Sequence, residues 1–314
     1  MESTTFSHVS VLLDECIDGL HIRPNLTYVD CTTGGGGHSY HIASRLGEGG
    51  RLLCFDRDTD ALAAAKARLA PFSDRVTFIH ANFDELGAVL DEMKIDNLGG
   101  VLADLGCSSY QFDTASRGFS YQQDAPLDMR MDISAPKDAA SVVNTYPESE
   151  LRRIIFEYGE ERFAPRIASR IVAERERAPI ETTGRLADII RGAIPKEARD
   201  GGPHPAKRTF QAIRIEVNGE LDAIAPMIRA AAGRLVSGGR LAMISFHSLD
   251  DRIMKQEYAA LASGCTCPPD FPLCVCGKKP SVKILSKKPI LPTEEELERN
   301  PRSRSAKLRI CEKL

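Results

Sequence analysis

Short apolar runs and amphipathic stretches alternate along the first third of the chain. The apolar runs have the length and bulk of buried strands, and they cover residues 27–31, 51–56, 75–80 and 98–104. Segments whose apolar residues have helical spacing separate these runs. The clearest is 58–69, where Leu62, Ala65 and Leu69 fall on one face. Strands that alternate with helices predict a parallel sheet, with a ligand site along the carboxyl edge of its strands.

The alternation stops after Asp104. Residues 105–133 are rich in Gly, Ser and Asp and predict a long loop, which at this length is more often functional than not. Residues 134–205 carry only helical patterns, and a long helical region is predicted to run from 207 towards 235. The middle of the chain therefore predicts an all-helical insertion.

Two further strands are predicted in the last third of the chain. Residues 239–246 form a buried apolar run, and residues 306–313 alternate polar and apolar side chains, as a late antiparallel strand would. The predicted fold class is α/β, a Rossmann-like and mostly parallel sheet with a late antiparallel strand. Its core is divided between residues 1–133 and 206–314 by an inserted helical domain at 134–205.

A run of glycines joins the first predicted strand to the helix that follows it. Gly34 to Gly37 let a ligand approach the backbone, and the helix N-terminus behind them offers unpaired N–H groups. Asp56 ends the second strand 22 residues after Gly34 (56 − 34), the spacing at which a carboxylate binds ribose hydroxyls. Ser39 occupies the place of the third glycine of a dinucleotide site, which argues against NAD. An NAD-dependent oxidoreductase remains the alternative from another enzyme class.

The end of the fourth strand carries a polar sequence at the same predicted edge. The segment Asp104-Leu-Gly-Cys-Ser-Ser-Tyr-Gln111 combines a carboxylate with a small turn. This combination is typical of the place where adenosylmethionine-dependent methyltransferases hold the transferring methyl group. The alternative is that Asp104 only caps the turn that follows it.

Composition limits the classes of protein to which the chain can belong. Its 314 residues, 42% of them hydrophobic, suffice for a real core, and its net charge of −3 gives no overall basic character. Contacts with nucleic acid must then come from local basic segments, and residues 278–288 and 299–309 are the candidates. A solvated tail is the alternative for the lysines. Because no signal peptide and no apolar run near 18 residues is present, we expect a cytoplasmic protein without a membrane segment.

Four of the nine cysteines are clustered in a proline-rich segment, at Cys265, Cys267, Cys274 and Cys276. Four thiolates this close suit a structural zinc ion in tetrahedral coordination. The Cys-x-Cys pairs are tighter than the usual Cys-x-x-Cys pairs, so a reduced loop without metal remains the alternative.

Eight unusual segments follow one another over nearly the whole chain. They are Thr33-Gly-Gly-Gly-Gly-His-Ser39, Phe55-Asp-Arg-Asp58, Asp104-Leu-Gly-Cys-Ser-Ser109, Arg117-Gly-Phe-Ser120, Pro126-Leu-Asp-Met-Arg-Met-Asp132, Tyr158-Gly-Glu-Glu-Arg-Phe163, His204-Pro-Ala-Lys-Arg-Thr-Phe-Gln-Ala-Ile-Arg214 and Ile244-Ser-Phe-His-Ser-Leu249. In this order they closely resemble the bacterial ribosomal small-subunit methyltransferase H family. The chain departs from the family pattern at Ala125 and Ser10, where glycine and proline are common.

The resemblance implies a class I methyltransferase core interrupted by a helical domain. It also implies transfer of a methyl group from S-adenosylmethionine to the exocyclic 4-amino group of a cytidine in the decoding region of 16S rRNA. The RNA or the small ribosomal subunit would be the partner, and no oligomeric state is predicted. The implied cofactor contacts are Gly36, Gly37, His38, Asp56, Phe83, Asp104 and Gln111.

The implied contacts divide among the parts of the cofactor. Asp56 would hold the ribose, and Phe83 would lie along the adenine. Asp104 and Gln111 would close the pocket near the methionine moiety. Another base or small-molecule amino-methyltransferase, or an RNA-binding protein with an inactive cofactor pocket, remains open beside this interpretation.

The amino nitrogen of cytosine is a poor nucleophile because its lone pair is delocalised into the ring. Catalysis therefore needs acceptors that hold the amine hydrogens as the nitrogen pyramidalises, and Asp104 and Ser109 are predicted for this role. A base within folded RNA must also be swung out and held by stacking. The aromatic candidates are Tyr110, Phe112, Phe119 and Tyr121, with core packing the alternative for Phe119.

Methylation at the ring carbon would instead require a cysteine nucleophile. Cys107 lies three residues after Asp104 and is the candidate, but it is not part of a Pro-Cys pair and no base follows it. We therefore predict that Cys107 is not a nucleophile.

Overall fold

The chain divides into two units. The computed structural model describes residues 10–199, 204–264, 267 and 275–314. The first unit comprises residues 1–106 and 221–314, and the second comprises residues 107–220. Over the described part of the chain, no helix is long and apolar enough to cross a membrane.

The first unit is built on a seven-stranded sheet. Its strands are β1 (Thr27–Asp30), β2 (Arg51–Asp56), β3 (Val76–His80), β4 (Leu98–Asp104), β5 (Leu235–Ser245), β6 (Val282–Ile284) and β7 (Lys307–Lys313). They lie in the order β3-β2-β1-β4-β5-β7-β6. The first five pair in parallel, while β7 runs antiparallel to β5 and β6 antiparallel to β7. The predicted fold class, mostly parallel with a late antiparallel strand, is confirmed.

Both faces of the sheet are buried. Alternate residues of each strand point to opposite faces, so Tyr28 and Leu52 join one core and Val29 and Leu53 join the other. The helices of this unit are α1 (Leu13–Leu20), α2 (Gly37–Ala43), α3 (Thr59–Arg68), α4 (Leu86–Glu92), and, after the second unit, α11 (Ile224–Arg234), α12 (Ser248–Ala262) and α13 (Glu294–Arg299). The strands are apolar and covered on both faces, so their polar residues lie at the strand ends. A ligand site is therefore expected at the carboxyl edge of the sheet.

The second unit is helical. Its helices are α5 (Ser109–Asp113), α6 (Ala139–Thr145), α7 (Glu148–Glu157), α8 (Ala164–Arg175), α9 (Thr183–Ala193) and α10 (Lys207–Asn218). Its bounds are wider than the 134–205 predicted for the inserted domain, because segments on both sides share its core. Leu127 from the predicted loop and Phe210 and Ile213 from α10 are buried among the inserted helices.

One prediction for the middle of the chain is wrong in detail. The segment 105–133 is not all loop, since it contains α5 and a 3₁₀ turn at Ala115–Arg117. Arg117 is buried and donates to the carbonyls of Arg130 and Met131 at 3.0 and 2.9 Å, so its side chain ties the middle of this segment to its C-terminal end. The helical region predicted from 207 towards 235 is present as two helices, α10 and α11, and Gly219, whose φ is 59°, ends α10 in the left-handed conformation.

Candidate active site

Three aspartates end neighbouring strands at the carboxyl edge of the sheet. Asp30 ends β1, Asp56 ends β2 and Asp104 ends β4, and β1 pairs in parallel with both of the others. The side chain of Glu296, from α13, is electrostatically coupled to Asp104. The first unit therefore gathers several carboxyl groups within a small region.

Asp30 is fully buried beneath the glycine turn. Its carboxylate accepts hydrogen bonds from the Ser39 hydroxyl at 2.6 Å and from the Thr32 backbone N–H at 3.1 Å. Burial nevertheless raises the pKa of Asp30 to about 6. The sequence interpretation did not name Asp30 as a site residue, although an acidic residue that ends a buried strand just before a glycine run is the signal that could have found it.

Asp56 ties the end of β2 to the glycine turn. It accepts hydrogen bonds from the backbone N–H of Gly34 at 2.7 Å and of Asp58 at 2.9 Å. Gly34 has a φ of 51°, a conformation that favours glycine. Burial raises the pKa of Asp56 to about 6, although these two hydrogen bonds act to lower it. Each carboxylate oxygen has a second lone pair, so the side chain can still accept from a ligand hydroxyl.

Asp104 has a buried oxygen without a partner. Its backbone N–H donates to the Thr32 hydroxyl at 2.6 Å. Its Oδ1 is inaccessible to solvent, and none of the described residues hydrogen-bonds to that oxygen. Burial, and then the negative charges of Asp30 and Glu296, raise the pKa of Asp104 to about 8. A buried polar atom without a partner is costly and commonly marks a functional group.

The glycine turn is closely packed against neighbouring residues. Gly36 has a φ of 77°, and a Cβ there would lie 3.3 Å from the Cα of Ala65 on α3. A Cβ on Gly37 would overlap the hydroxyl of Ser10. The Nε2 of His38 lies 3.0 Å from the carbonyl oxygen of Val11, in a buried contact. Backbone conformation and packing both favour glycine at position 36, whereas at position 37 the constraint is the contact with Ser10.

Phe83 follows β3 and lies largely within the core. It is 7% exposed and packs in the same apolar cluster as Leu86 and Leu90. The guanidinium carbon of Arg57 lies 5.9 Å from the centre of its ring. The predicted contact of Phe83 with adenine stays a prediction.

Ser109 and Gln111 belong to the second unit, on the short helix α5. Ser108 is the N-cap of this helix, and its hydroxyl accepts from the backbone N–H of Gln111 at 3.3 Å. The amide oxygen of Gln111 accepts from the N–H of Ser108 at 3.1 Å, which completes a capping box. The two predicted site residues are thus fixed by the first turn of one helix.

Cys107 lies in a partly buried polar contact within the second unit. Its Sγ accepts from Nη1 of Arg214 at 2.9 Å, and Arg214 also forms a bidentate pair with Glu220 at 2.8 and 2.9 Å. Burial raises the pKa of the Cys107 thiol to about 11, although the guanidinium opposes the change. A thiol that stays protonated is a poor nucleophile.

The aromatic side chains proposed for base stacking differ in their surroundings. Tyr121 stacks on His204 with ring centres 4.4 Å apart and meets Phe210 edge-on at 5.6 Å. Phe119 is 4% exposed, as the core-packing alternative expects, while Phe112 is 37% exposed and meets it edge-on. Among these rings, Phe112 offers the most accessible face.

The proposed zinc ligands are only partly within the described residues. Cys267 and Cys276 are described, whereas Cys265 and Cys274 lie outside the described residues. Where the structure describes the chain, no group of three or more His, Cys, Asp or Glu side chains could hold a metal ion. Zinc binding by the four cysteines stays a prediction.

Comparison with known proteins adds to this geometry. The model of the MraW methylase family matches residues 5–314. The chain is 56% identical to ribosomal RNA small subunit methyltransferase H of Clostridioides difficile (strain 630), over 98% of this chain and 99% of that protein.

The chain belongs to the MraW methylase family.

A second relative in the family, from Brevibacillus brevis, carries the same name and is 54% identical over the full length of both chains. Among solved structures, an rRNA methylase from Streptococcus thermophilus aligns over 98% of this chain and 99% of its own, at 12% identity and a TM-score of 0.41. That likeness is too distant to add to the assignment. The family confirms the resemblance on which the sequence interpretation rested.

Proposed function

We propose that the protein transfers a methyl group from S-adenosylmethionine to the exocyclic 4-amino group of a cytidine in 16S rRNA. The observation that supports this most strongly is the buried carboxyl oxygen of Asp104, which has no hydrogen-bond partner among the described residues, at the carboxyl edge of the sheet. Membership of a methylase family supplies the reaction class.

The donor set suits this cofactor chemically. S-adenosylmethionine carries positive charge on its sulfonium and its ammonium group, and when bound it supplies an electrophilic methyl group. Asp30, Asp56 and Asp104 are acids whose pKa values are raised mainly by burial. A cation bound near them would favour their ionised forms and lower these pKa values. The proposed cofactor contacts are Gly36, Gly37, His38, Asp56, Phe83, Asp104 and Gln111.

The chain's own contribution to the chemistry is to accept hydrogen bonds from the target amine. We assign this to the Asp104 carboxylate and the Ser109 hydroxyl. An ionised Asp104 can hold an amine hydrogen while the nitrogen pyramidalises, and it can take the proton that the methylated amine releases. In the free protein the pKa of Asp104 is raised to about 8, so the ionised fraction of this carboxyl group increases as the pH rises towards that value.

The RNA would be recognised through local positive charge. Lys278, Lys279, Lys287 and Lys288 are exposed in the described part of the C-terminal region, within a protein of net charge −3. Such residues can follow a phosphate backbone, and their contribution would fall as the salt concentration rises. The small ribosomal subunit is the proposed partner, and the cytoplasm the proposed place of action.

Two measurements test the proposal. Calorimetry should detect adenosylhomocysteine binding and no binding of NAD at the same site. Mass mapping of 16S rRNA from cells with and without the protein should find one cytidine that loses a methyl group on its amine. Binding of NAD alone, or loss of a methyl group from a ring carbon or from an adenine, would refute the proposal.

A further inference from the structure

The residues just before α1 lie across the glycine turn. We refer to Ser10, Val11 and Leu12 as the strap. The Ser10 hydroxyl occupies the space beside Gly37 that a Cβ would need. The carbonyl of Val11 accepts from Nε2 of His38 at 3.0 Å, which requires the tautomer with its hydrogen on Nε2. The strap thus contacts the first two residues of α2.

The backbone of Leu12, the last residue of the strap, has an unfavourable conformation. It is a non-glycine residue with φ 50° and ψ 40°, the left-handed region, and its side chain is fully buried. Such a conformation costs of the order of 1 kcal/mol or more and persists only where surrounding contacts enforce it. A contact that fixes the backbone of Leu12 is therefore needed.

Glu296 supplies that contact from the other end of the chain. Its Oε1 accepts from the backbone N–H of Leu12 at 2.8 Å, across 284 residues of sequence. Glu296 is itself 7% exposed and lies in the first turn of α13, where its N–H donates to the hydroxyl of the N-cap Thr293. A buried N–H must find an acceptor, and a carboxylate is a strong one.

The same carboxylate is coupled to the centre of the candidate site. The charge of Glu296 contributes to the raised pKa of Asp104 and also raises that of Cys16 on α1. The acceptor that holds the Leu12 N–H therefore lies close enough to Asp104 to act on it electrostatically.

We propose that Glu296 is a positioning residue of the cofactor site, which holds the strap against the glycine turn and so fixes Gly37 and His38. This rests on the proposed function, since the glycine turn is the proposed cofactor contact. Without the acceptor, the Leu12 N–H is left unpaired, the strap lifts from α2, and His38 loses its partner at Val11. The cofactor then meets a less ordered turn.

The test compares Glu296→Ala with Glu296→Gln. The alanine removes the acceptor, and we expect adenosylhomocysteine to bind roughly tenfold more weakly by calorimetry, the scale of one lost hydrogen bond to a charged group. The glutamine keeps an acceptor oxygen, so binding should stay within about threefold of wild type. Glu295→Ala is the matched control, since Glu295 is exposed on the same helix.

Hydrogen exchange supplies a readout that does not depend on activity. The Leu12 amide should be protected in the wild type and in Glu296→Gln, and should exchange faster in Glu296→Ala. Unchanged affinity and unchanged exchange in a folded Glu296→Ala protein would overturn the inference, as would a lowered melting temperature with unchanged affinity. A glutamine variant as weak as the alanine variant would also contradict it. Failure of the wild type to bind the ligand would instead refute the proposed function.

Discussion

Replacing Asp104 with asparagine should change how the stability of the free protein depends on pH. The pKa of Asp104 is raised to about 8 in the folded protein, against an ordinary value of about 3.9 in an unfolded chain. Between these values the unfolded chain has released the proton and the folded protein still holds it. The free energy of unfolding therefore falls as pH rises through this window, and levels off above about pH 8.

The size of this effect follows from the window. One pH unit is worth at most about 1.36 kcal/mol per proton, so pH 5 to pH 8 spans at most about 4 kcal/mol. Part of the rise in the pKa of Asp104 comes from the charges of Asp30 and Glu296. We therefore expect the free energy of unfolding to fall by about 2–4 kcal/mol on account of Asp104. An asparagine cannot ionise, so Asp104→Asn should lack this loss and be more stable than the wild type at pH 8.

Urea unfolding at pH 5 and pH 8 measures the effect. Asp96→Asn is the control, because Asp96 is exposed and its replacement should leave the pH dependence within about 0.5 kcal/mol of wild type. Parallel pH dependences for the wild type and Asp104→Asn would show that Asp104 is ionised in the free protein. The buried Oδ1 of Asp104 would then give no support to a site for a positively charged cofactor.

Three further outcomes are expected. Asp56→Ala should weaken binding of adenosylmethionine by roughly 1–3 kcal/mol, the scale of a charge-assisted hydrogen bond, and unchanged affinity by calorimetry would remove Asp56 from the site. Elemental analysis of protein purified without chelator should find about one zinc per chain, held by Cys265, Cys267, Cys274 and Cys276; a metal-free protein with the same melting temperature and activity would contradict this. Cys107→Val should keep the methyl-transfer rate within a few-fold of wild type, because burial holds the thiol protonated, with a pKa of about 11. Capture of the wild-type protein on RNA containing 5-fluorocytidine would point to attack at carbon instead.

The sequence predicts the sheet well because local pattern and burial agree there. β2 and β4 have the predicted bounds, and β7 pairs antiparallel with β5 as its alternating side chains indicate. β6 escapes prediction because its three residues give too short a pattern. The edge positions of Asp56 and Asp104 follow from the strand ends alone.

Other parts of the site depend on contacts between distant residues, which no local pattern encodes. The bond from the Leu12 N–H to Glu296 spans 284 residues, and Glu296 has the sequence context of an ordinary acidic helix start. The contact of Cys107 with Arg214 is likewise formed only by folding. Periodicity assigns a residue to a face or an end of an element, but it does not assign the partner of a polar atom.

The position of β7 between β5 and β6 has a consequence for biosynthesis. β5 ends at Ser245 and its antiparallel partner begins at Lys307, 62 residues later (307 − 245). On a translating ribosome the long, buried β5 therefore waits with one edge unpaired until that segment has left the exit tunnel, and an open apolar edge is prone to aggregation. A released chain that stops at residue 306 should bind chaperones more than the released 314-residue chain, because it lacks the strand that covers this edge of β5.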